Sequence, residues 1–488
     1  MTEHTGQNDS RLEELGYRQQ LRRGLGIWST FSVGVTTVAP VVGLYAIFSL
    51  GSLLSGPAWL WMLLVSLVAQ LLVVVVYAEL ASEFPVAGGP YQWVRRLIGP
   101  RAAWFTGVVY ISAVTAALTT VAYLAAPWLG LLFTGREPHG PARYLVSAGL
   151  LALALAVNAS GVKIMSLVVL GGLGAEIIGS IAVGLALLFF FRVQDFSVLF
   201  QTFGAPAAAG NSTGAALLAT LAVCGWAFVG FDSSASVAEE TKGAVRNVPR
   251  AMVRATAVVG GAVVLVAIAV MLATRDLGAV VRGETADPVT PTVIGSFGSW
   301  SEKPFLAVVV VTFLACLVSM QAYLGRITFG LARDGMLPAS GRLASVTGRG
   351  RVPLAAMTAV SAAAAAGLLL GLNDGAIGTM ITFGTGGLYI TFLIVVSAAL
   401  FARLTGRWRP AGTVRLGRKG LVVNVLAFCW LAFETVNIAW PRAILAPPGA
   451  PAWQIWAVVW VFAAIICCAG LHLALARPLD KVRTGGTP

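Results

Sequence analysis

Two interruptions in otherwise apolar stretches constrain this chain most. GVTTVAPVVG, from Gly34 to Gly43, breaks the first long apolar segment, and VGFDSSAS, from Val229 to Ser236, breaks the sixth. A helix surrounded by lipid leaves no backbone amide or carbonyl unpaired unless protein, water or a solute satisfies it. Breaks at corresponding places in two segments therefore predict a solute site near the bilayer midplane.

Composition supplies the bilayer. With 58% hydrophobic and 11% charged residues over 488 positions, too few polar side chains remain to coat a soluble core of this size. A spanning helix needs roughly 20 apolar residues. Such segments are read at 26–49, 56–82, 102–131, 143–159, 161–191, 214–237, 253–272, 304–331, 353–371, 376–401, 419–441 and 452–476. The predicted fold class is an all-α integral membrane protein of twelve transmembrane helices, with the first and sixth discontinuous. Two halves of five spans each place the second half upside down relative to the first, a 5+5 inverted repeat that supports alternating access. The expected organisation is an N-terminal tail (1–25), amphipathic between Leu12 and Leu21, a ten-helix core (26–401), helices eleven and twelve (402–476) and a C-terminal tail (477–488).

A net charge of +13 raises nucleic acid as a partner, but its distribution argues against it. With the N-terminus inside, only Arg136, Arg143, Arg192, Arg275, Arg282, Lys303 and Arg442 fall outside, out of 33 Lys and Arg. This positive-inside bias predicts both termini in the cytoplasm of a multi-pass cytoplasmic-membrane protein, with basic clusters against lipid headgroups. The external stretch Asp287 to Trp300 either folds back over the outer mouth or is a plain linker.

Catalysis and metal binding find little support. The histidines are His4, His139 and His472, near the termini or in an external loop, and the five cysteines lie in apolar segments without metal-ligand spacing. No GxxxxGK[ST] loop is present for a nucleotide, and no nucleophile stands beside a positioned base. No cofactor and no metal are expected.

At the first interruption, Pro40 lacks an amide hydrogen and frees a carbonyl of the preceding turn, while Gly34 and Gly43 permit close backbone approach. The half-helix ends then offer N–H groups to a carboxylate and C=O groups to an ammonium or cation; a simple proline kink with packing glycines is the competing reading. At the second, Asp232 lies between Trp226, Phe228 and Phe231 on one side and Ser233, Ser234 and Ser236 on the other. A carboxylate at this depth needs a polar cavity or a partner. It either binds a substrate amine or holds the unwound backbone by accepting N–H bonds, and the aromatics are candidates to wall a pocket and stack on an organic cation.

Glu176, in GGLGAEIIGS, shares a helical face with Gly172, Gly179 and Ser180. Small neighbours let another helix approach, leaving three roles open: proton carrier, counter-charge for a cationic substrate, or hydrogen-bond partner. Glu434, with Asn424 and Asn437, reads as structural or as an oligomer contact. Glu79 and Glu83 lie near Arg95 and Arg96 in sequence, and Glu239 and Glu240 precede Lys242, Arg246 and Arg250. Charge pairing among these is expected to hold the inner gate shut, against the alternative of solvated loops. A sodium site would require Ser319 or Gln321 to converge with carbonyls of the first interruption.

Four blocks carry a resemblance: FSVGVTTVAPVVGLY (Phe31 to Tyr45), AELASEFPVAGGPYQWVRRL (Ala78 to Leu97), GFDSSASVAEETKGAVRNVPRAM (Gly230 to Met252) and GRITFGLARDGMLP (Gly325 to Pro338). In this order they resemble the amino acid–polyamine–organocation superfamily, and within it the amino acid/choline permease branch. The resemblance implies a LeuT-like inverted-repeat fold and secondary transport of small amino acids or amines by proton symport or exchange. It places substrate-contacting backbone at Thr37, Val38, Ala39, Pro40 and Gly43 and at Gly230, Phe231, Asp232, Ser233 and Ser234, with Asp232 beside the unwound turn. Family members with a membrane lysine in the fifth helix differ from this chain, which has Lys163 at the start of that helix and Glu176 farther in. The departure favours a cationic substrate or a carboxylate relay. The expected partners are a small amino acid or amine, protons and lipids, with the chain a monomer or homodimer. Choline or polyamine cations are the alternative substrate class.

Overall fold

The computed structural model describes residues 12–208, 210, 212–285, 287–347, 351–369, 376–443 and 450–476; the expected C-terminal tail lies outside them. The principal helices are α1 (Ile27–Val38), α2 (Pro40–Ser55), α3 (Trp59–Glu83), α4 (Gly89–Leu97), α5 (Pro100–Thr134), α6 (Gly140–Ala159), α7 (Val162–Glu176), α8 (Val183–Phe190), α9 (Thr213–Cys224), α10 (Ala244–Ala273), α11 (Glu302–Arg333), α12 (Leu354–Gly367), α13 (Ala376–Leu404), α14 (Lys419–Ala439) and α15 (Ala457–Ala476).

Ten helical stretches among the described residues are long and apolar enough to cross a membrane. Two of the twelve expected spans account for the difference. The first two fall in one stretch, Ile27–Glu83, which reverses through the turn Gly56–Ala58; unbroken, 57 residues would reach about 85 Å, far beyond a bilayer. The ninth is the short apolar helix Leu354–Gly367. The chain is an all-α, multi-pass membrane protein.

The outer surface fits a lipid environment. Val65, Val68, Phe133, Leu145, Phe189, Phe190, Val422, Val436, Trp460 and Leu471 are all exposed, a spread of large apolar side chains that water would not tolerate. Inside, α10 packs along α3 and α1, α11 along α5 and α7, and α13 along α5 and α14.

The helical path breaks where the sequence offers no continuation. Ala39 adopts φ 48°, ψ 95°, and Pro40 restarts the chain as the first residue of α2, a position where its missing N–H costs nothing. Downstream, α9 tightens into a 3₁₀ turn over Gly225–Phe228, Val229 is extended, and a single helical turn resumes at Ser233–Ser236. The chain at Glu176 also departs from α geometry, entering a π-helical turn over Ile177–Ala182, a distortion that recurs at functional sites.

Residues 12–25 do not hang free. Leu12 and Leu21 are buried, and the amides of Gly24 and Leu25 donate to the Glu240 carbonyl at 3.0 and 2.9 Å. This strap lies across one end of the bundle, called the basic end below. At the opposite end, the helix Val289–Phe297 turns inward: Val289 and Val293 are buried, and Tyr45 on α2 bonds Thr290 at 3.0 Å while packing against Trp128 at 4.7 Å. Between the two readings of Asp287 to Trp300, this packing supports the fold-back.

Candidate functional site

The two interruptions meet. Gly230, at φ 94°, sits so close to Thr37 that a Cβ there would stand 3.0 Å from the threonine methyl; only glycine combines this backbone with this approach. Below them Gly34 fulfils a similar need, since a Cβ would lie 2.6 Å from Ser234 Oγ. Ser234 Oγ donates to the Thr30 carbonyl at 3.2 Å and Ser233 Oγ to that of Val33 at 3.5 Å, so the second interruption is laced to α1 by hydroxyls.

Between the interruptions lies a small hollow of ≈ 20 Å³, room for about one water. Thr37, Val38 and Val42 wall it from the first interruption, and Trp226, Val229 and Gly230 from the second; α5, α11 and α13 complete it. Of the residues expected to contact a solute, Thr37, Val38, Trp226 and Gly230 reach this hollow. Ala39, Pro40, Gly43, Phe228, Phe231, Asp232, Ser233 and Ser234 stand behind it. Phe228 is fully buried away from the hollow. Phe231 is held by Tyr77 at 5.2 Å and Phe392 at 4.9 Å. Of the three side chains expected to form an aromatic wall, Trp226 reaches the hollow, because the neighbouring turn points the two phenylalanines into the core; Tyr323 adds a second ring there.

Asp232 is wholly buried. Its Oδ2 accepts the phenolic O–H of Tyr110 on α5, and its own amide lies against the carboxylate. Tyr323 also hydrogen-bonds the Asp232 carboxylate, and Tyr77, whose hydroxyl has no hydrogen-bond partner among the described residues, lies within electrostatic reach. Three tyrosines from α3, α5 and α11 thus converge on one carboxylate. None was singled out from the sequence; a hydroxyl-bearing aromatic in the middle of an apolar segment was the available signal.

Glu176 joins the same architecture from the other side. Its Oε2 accepts the Val41 amide at 3.2 Å and the Ser180 hydroxyl at 3.2 Å. The carboxylate therefore caps the restarted helix α2, satisfying an amide that would otherwise have to reach past Ala39. Oε1 has no partner among the described residues. Ser319 also meets the first interruption, bonding Thr36 Oγ1 at 2.7 Å; Cys316 lies 3.5 Å from the Thr37 carbonyl. Gln321 turns away, to Ser361 at 2.7 Å and Asn158 at 3.2 Å.

Ion pairs cross the basic end and join Glu79, Glu239 and Glu240 to arginines distant in sequence. Glu240 pairs with Arg326, and Glu239 with Arg333 at 2.9 Å while accepting the Ala87 amide at 2.9 Å. Arg95 pairs with Asp334 at 2.6 Å, and Tyr17 of the strap donates to Asp334 at 2.9 Å under the Arg333 guanidinium, 4.0 Å from its ring. Arg96 donates to the Leu15 carbonyl at 2.7 Å. Glu79 pairs with Arg403 and accepts the Leu416 amide, and Glu83 accepts the amides of Ala411 and Gly412 at 2.6 and 2.8 Å. Of the pairing expected among Glu79, Glu83, Arg95 and Arg96, two members pair elsewhere: α3 turns Glu79 toward Arg403 and the segment joining α13 and α14, while α4 turns Arg95 toward the end of α11. Glu434 accepts from Asn437 at 3.0 Å, a local bond within α14.

Comparison with known proteins agrees with this arrangement. The model of the family described as amino acid permease matches residues 25–471. An uncharacterized amino-acid permease of Schizosaccharomyces pombe is 25% identical, over 96% of this chain and 86% of its own length. Amino-acid permease BAT1 of Arabidopsis thaliana is 26% identical over 89% of this chain and 88% of its own. A choline transporter of Saccharomyces cerevisiae is 24% identical over 87% and 77% respectively. The chain belongs to the amino acid permease family of the amino acid–polyamine–organocation superfamily, and is a secondary transporter of the alternating-access type rather than an enzyme.

Proposed function

We propose that the chain carries a small amino acid, or an amino-acid-like zwitterion, by proton symport or exchange. The observation that carries this reading is the hollow bounded on one side by Thr37 and on the other by Gly230. Helix ends at such a place present peptide dipoles of both signs, and a zwitterion has a charge for each. The bundle is read as twelve spans in a 5+5 inverted repeat, on the support of the breaks at Ala39 and at Val229–Asp232. The basic end faces the cytoplasm, supported by the bias of Lys and Arg along the chain. The ion pairs at the basic end are made, so this conformation is read as one shut toward the cytoplasm. Glu176 and Asp232 are the candidate proton carriers, since each is a buried acid that touches an interruption.

Cationic amines form the second reading. The name of the Saccharomyces cerevisiae relative and the Trp226 and Tyr323 rings at the hollow favour it, because aromatic faces attract quaternary ammonium groups. Uptake into proteoliposomes separates the two readings, using amino acids, choline and polyamines under separate proton and sodium gradients. Saturable amino acid flux supports the first. Flux of choline or polyamines alone rejects it.

A further inference from the structure

The walls of the hollow are more selective than a site for amino acids in general requires. We infer that the solute is a neutral amino acid with an aliphatic side chain, and that Val114, Ala117 and Val121 on α5 set the size accepted. This inference rests on the reading that the two interruptions hold a zwitterion.

Val42, Val229, Val114, Val121, Met320 and Leu388 give the hollow an aliphatic lining drawn from both interruptions and from three scaffold helices. The polar groups in the lining are few: Thr37, Gly230 and the Trp226 indole on the interruption side, and Cys316 and the Tyr323 phenol on α11. No ionised side chain lines the hollow among the described residues. Neither Asp232 nor Glu176 is in the lining: Asp232 is held by Tyr110 and Tyr323, and Glu176 by the Val41 amide and the Ser180 hydroxyl. An ammonium or carboxylate on the solute's side chain would thus be buried without a counter-charge, which is strongly unfavourable. An aliphatic side chain loses no hydrogen bonds there and gains dispersion contacts.

Size discrimination follows from the helix face. Positions 114, 117 and 121 are three and four residues apart and so form one row on α5. Ala117 leaves a step between two valines, the shape that admits a branched side chain and opposes a ring.

The test uses the full chain in proteoliposomes, with radiolabelled alanine, valine, leucine, phenylalanine, lysine, glutamate, γ-aminobutyrate and choline. Leucine or valine is expected to exceed lysine, glutamate and γ-aminobutyrate in kcat/KM by at least ~10-fold, the scale on which an apolar pocket discriminates. Val121→Ala should raise the phenylalanine-to-leucine ratio about tenfold, and Val121→Thr should lower the leucine-to-alanine ratio by a similar factor. Ratios within one variant are independent of how much of it folds. Lysine or glutamate as the preferred amino acid, or ratios unmoved by both variants, would overturn the inference while leaving amino acid transport intact. Choline flux with no amino acid flux would overturn the reading on which it rests.

Discussion

Arg326 and Glu240 form a two-pronged ion pair sealed from solvent: Nε donates to Oε2 at 2.8 Å and Nη2 to Oε1 at 2.9 Å, with side chains 1% and 0% exposed. Arg326 lies on α11, and Glu240 follows the second interruption, so the pair ties the segment after that interruption to a long helix. The Glu240 backbone carbonyl also holds the strap at Gly24 and Leu25. Removing one partner of such a pair strands a buried charge, at a cost of about 3–5 kcal/mol. Glu240→Ala and Arg326→Met are each expected to lower the unfolding midpoint in detergent, and the double variant to recover much of the loss. Single variants as stable as the parent would show that the pair contributes nothing net.

The strap supplies a pH-dependent contact outside the spans. Burial pushes the Tyr17 phenol from 10.0 up to about 12, the Asp334 charge acts in the same direction, and Arg333 and Arg95 oppose it; Arg96 lies 5.8 Å from the ring. A proton held more tightly in the folded state gives a contribution that is whole below pH about 10 and is lost as pH rises toward 12. The stability difference between the parent and Tyr17→Phe should therefore shrink over that window. A difference that is constant with pH would mean that the phenol does not titrate in the packed strap.

Glu176 is expected to divide into two separable roles. Glu176→Gln keeps an acceptor for the Val41 amide but abolishes the charge, so folding should be nearly unchanged while the pH dependence of uptake flattens. Glu176→Ala removes the cap as well and should cost about 1 kcal/mol more. Uptake by the Gln variant that follows pH as the parent does would restrict Glu176 to capping.

Asp232→Asn is expected to reduce saturable flux strongly, and Tyr110→Phe to reproduce part of that loss, because the phenol donates to the carboxylate. A double-mutant cycle on initial rates should give a coupling of roughly 0.5–3 kcal/mol, as for groups in one hydrogen-bonded unit. Near-normal flux in Asp232→Asn at all substrate concentrations would remove the residue from the site.

The opening at Gly230 has a simple steric test. Gly230→Ala places a Cβ 3.0 Å from the Thr37 methyl on a backbone at φ 94°, so strain and contact act together. Expression with abolished uptake is the expected outcome, and uptake within twofold of the parent would argue against close approach of the interruptions.

The linear chain by itself determined the bilayer setting, because apolar segment length is counted along it and charge bias is read between segments. It also determined where helices fail: Pro40 has no amide to give, and Gly230 tolerates a backbone that a side chain forbids. It identified Glu176 and Asp232 as costly at their depth, since no nearby residue could neutralise them. Tertiary structure decided what those acids meet. Asp232 meets Tyr110 across 122 positions, and Glu79 meets Arg403 across 324, passing over the arginines nearer in sequence. It likewise decided that Trp226 reaches the hollow while Phe228 and Phe231 enter the core, and that Val114 and Val121 line that hollow. Helical periodicity tells which residues share a face, but the partner across that face depends on how the helices rotate and cross, and that is fixed only when all of them pack together.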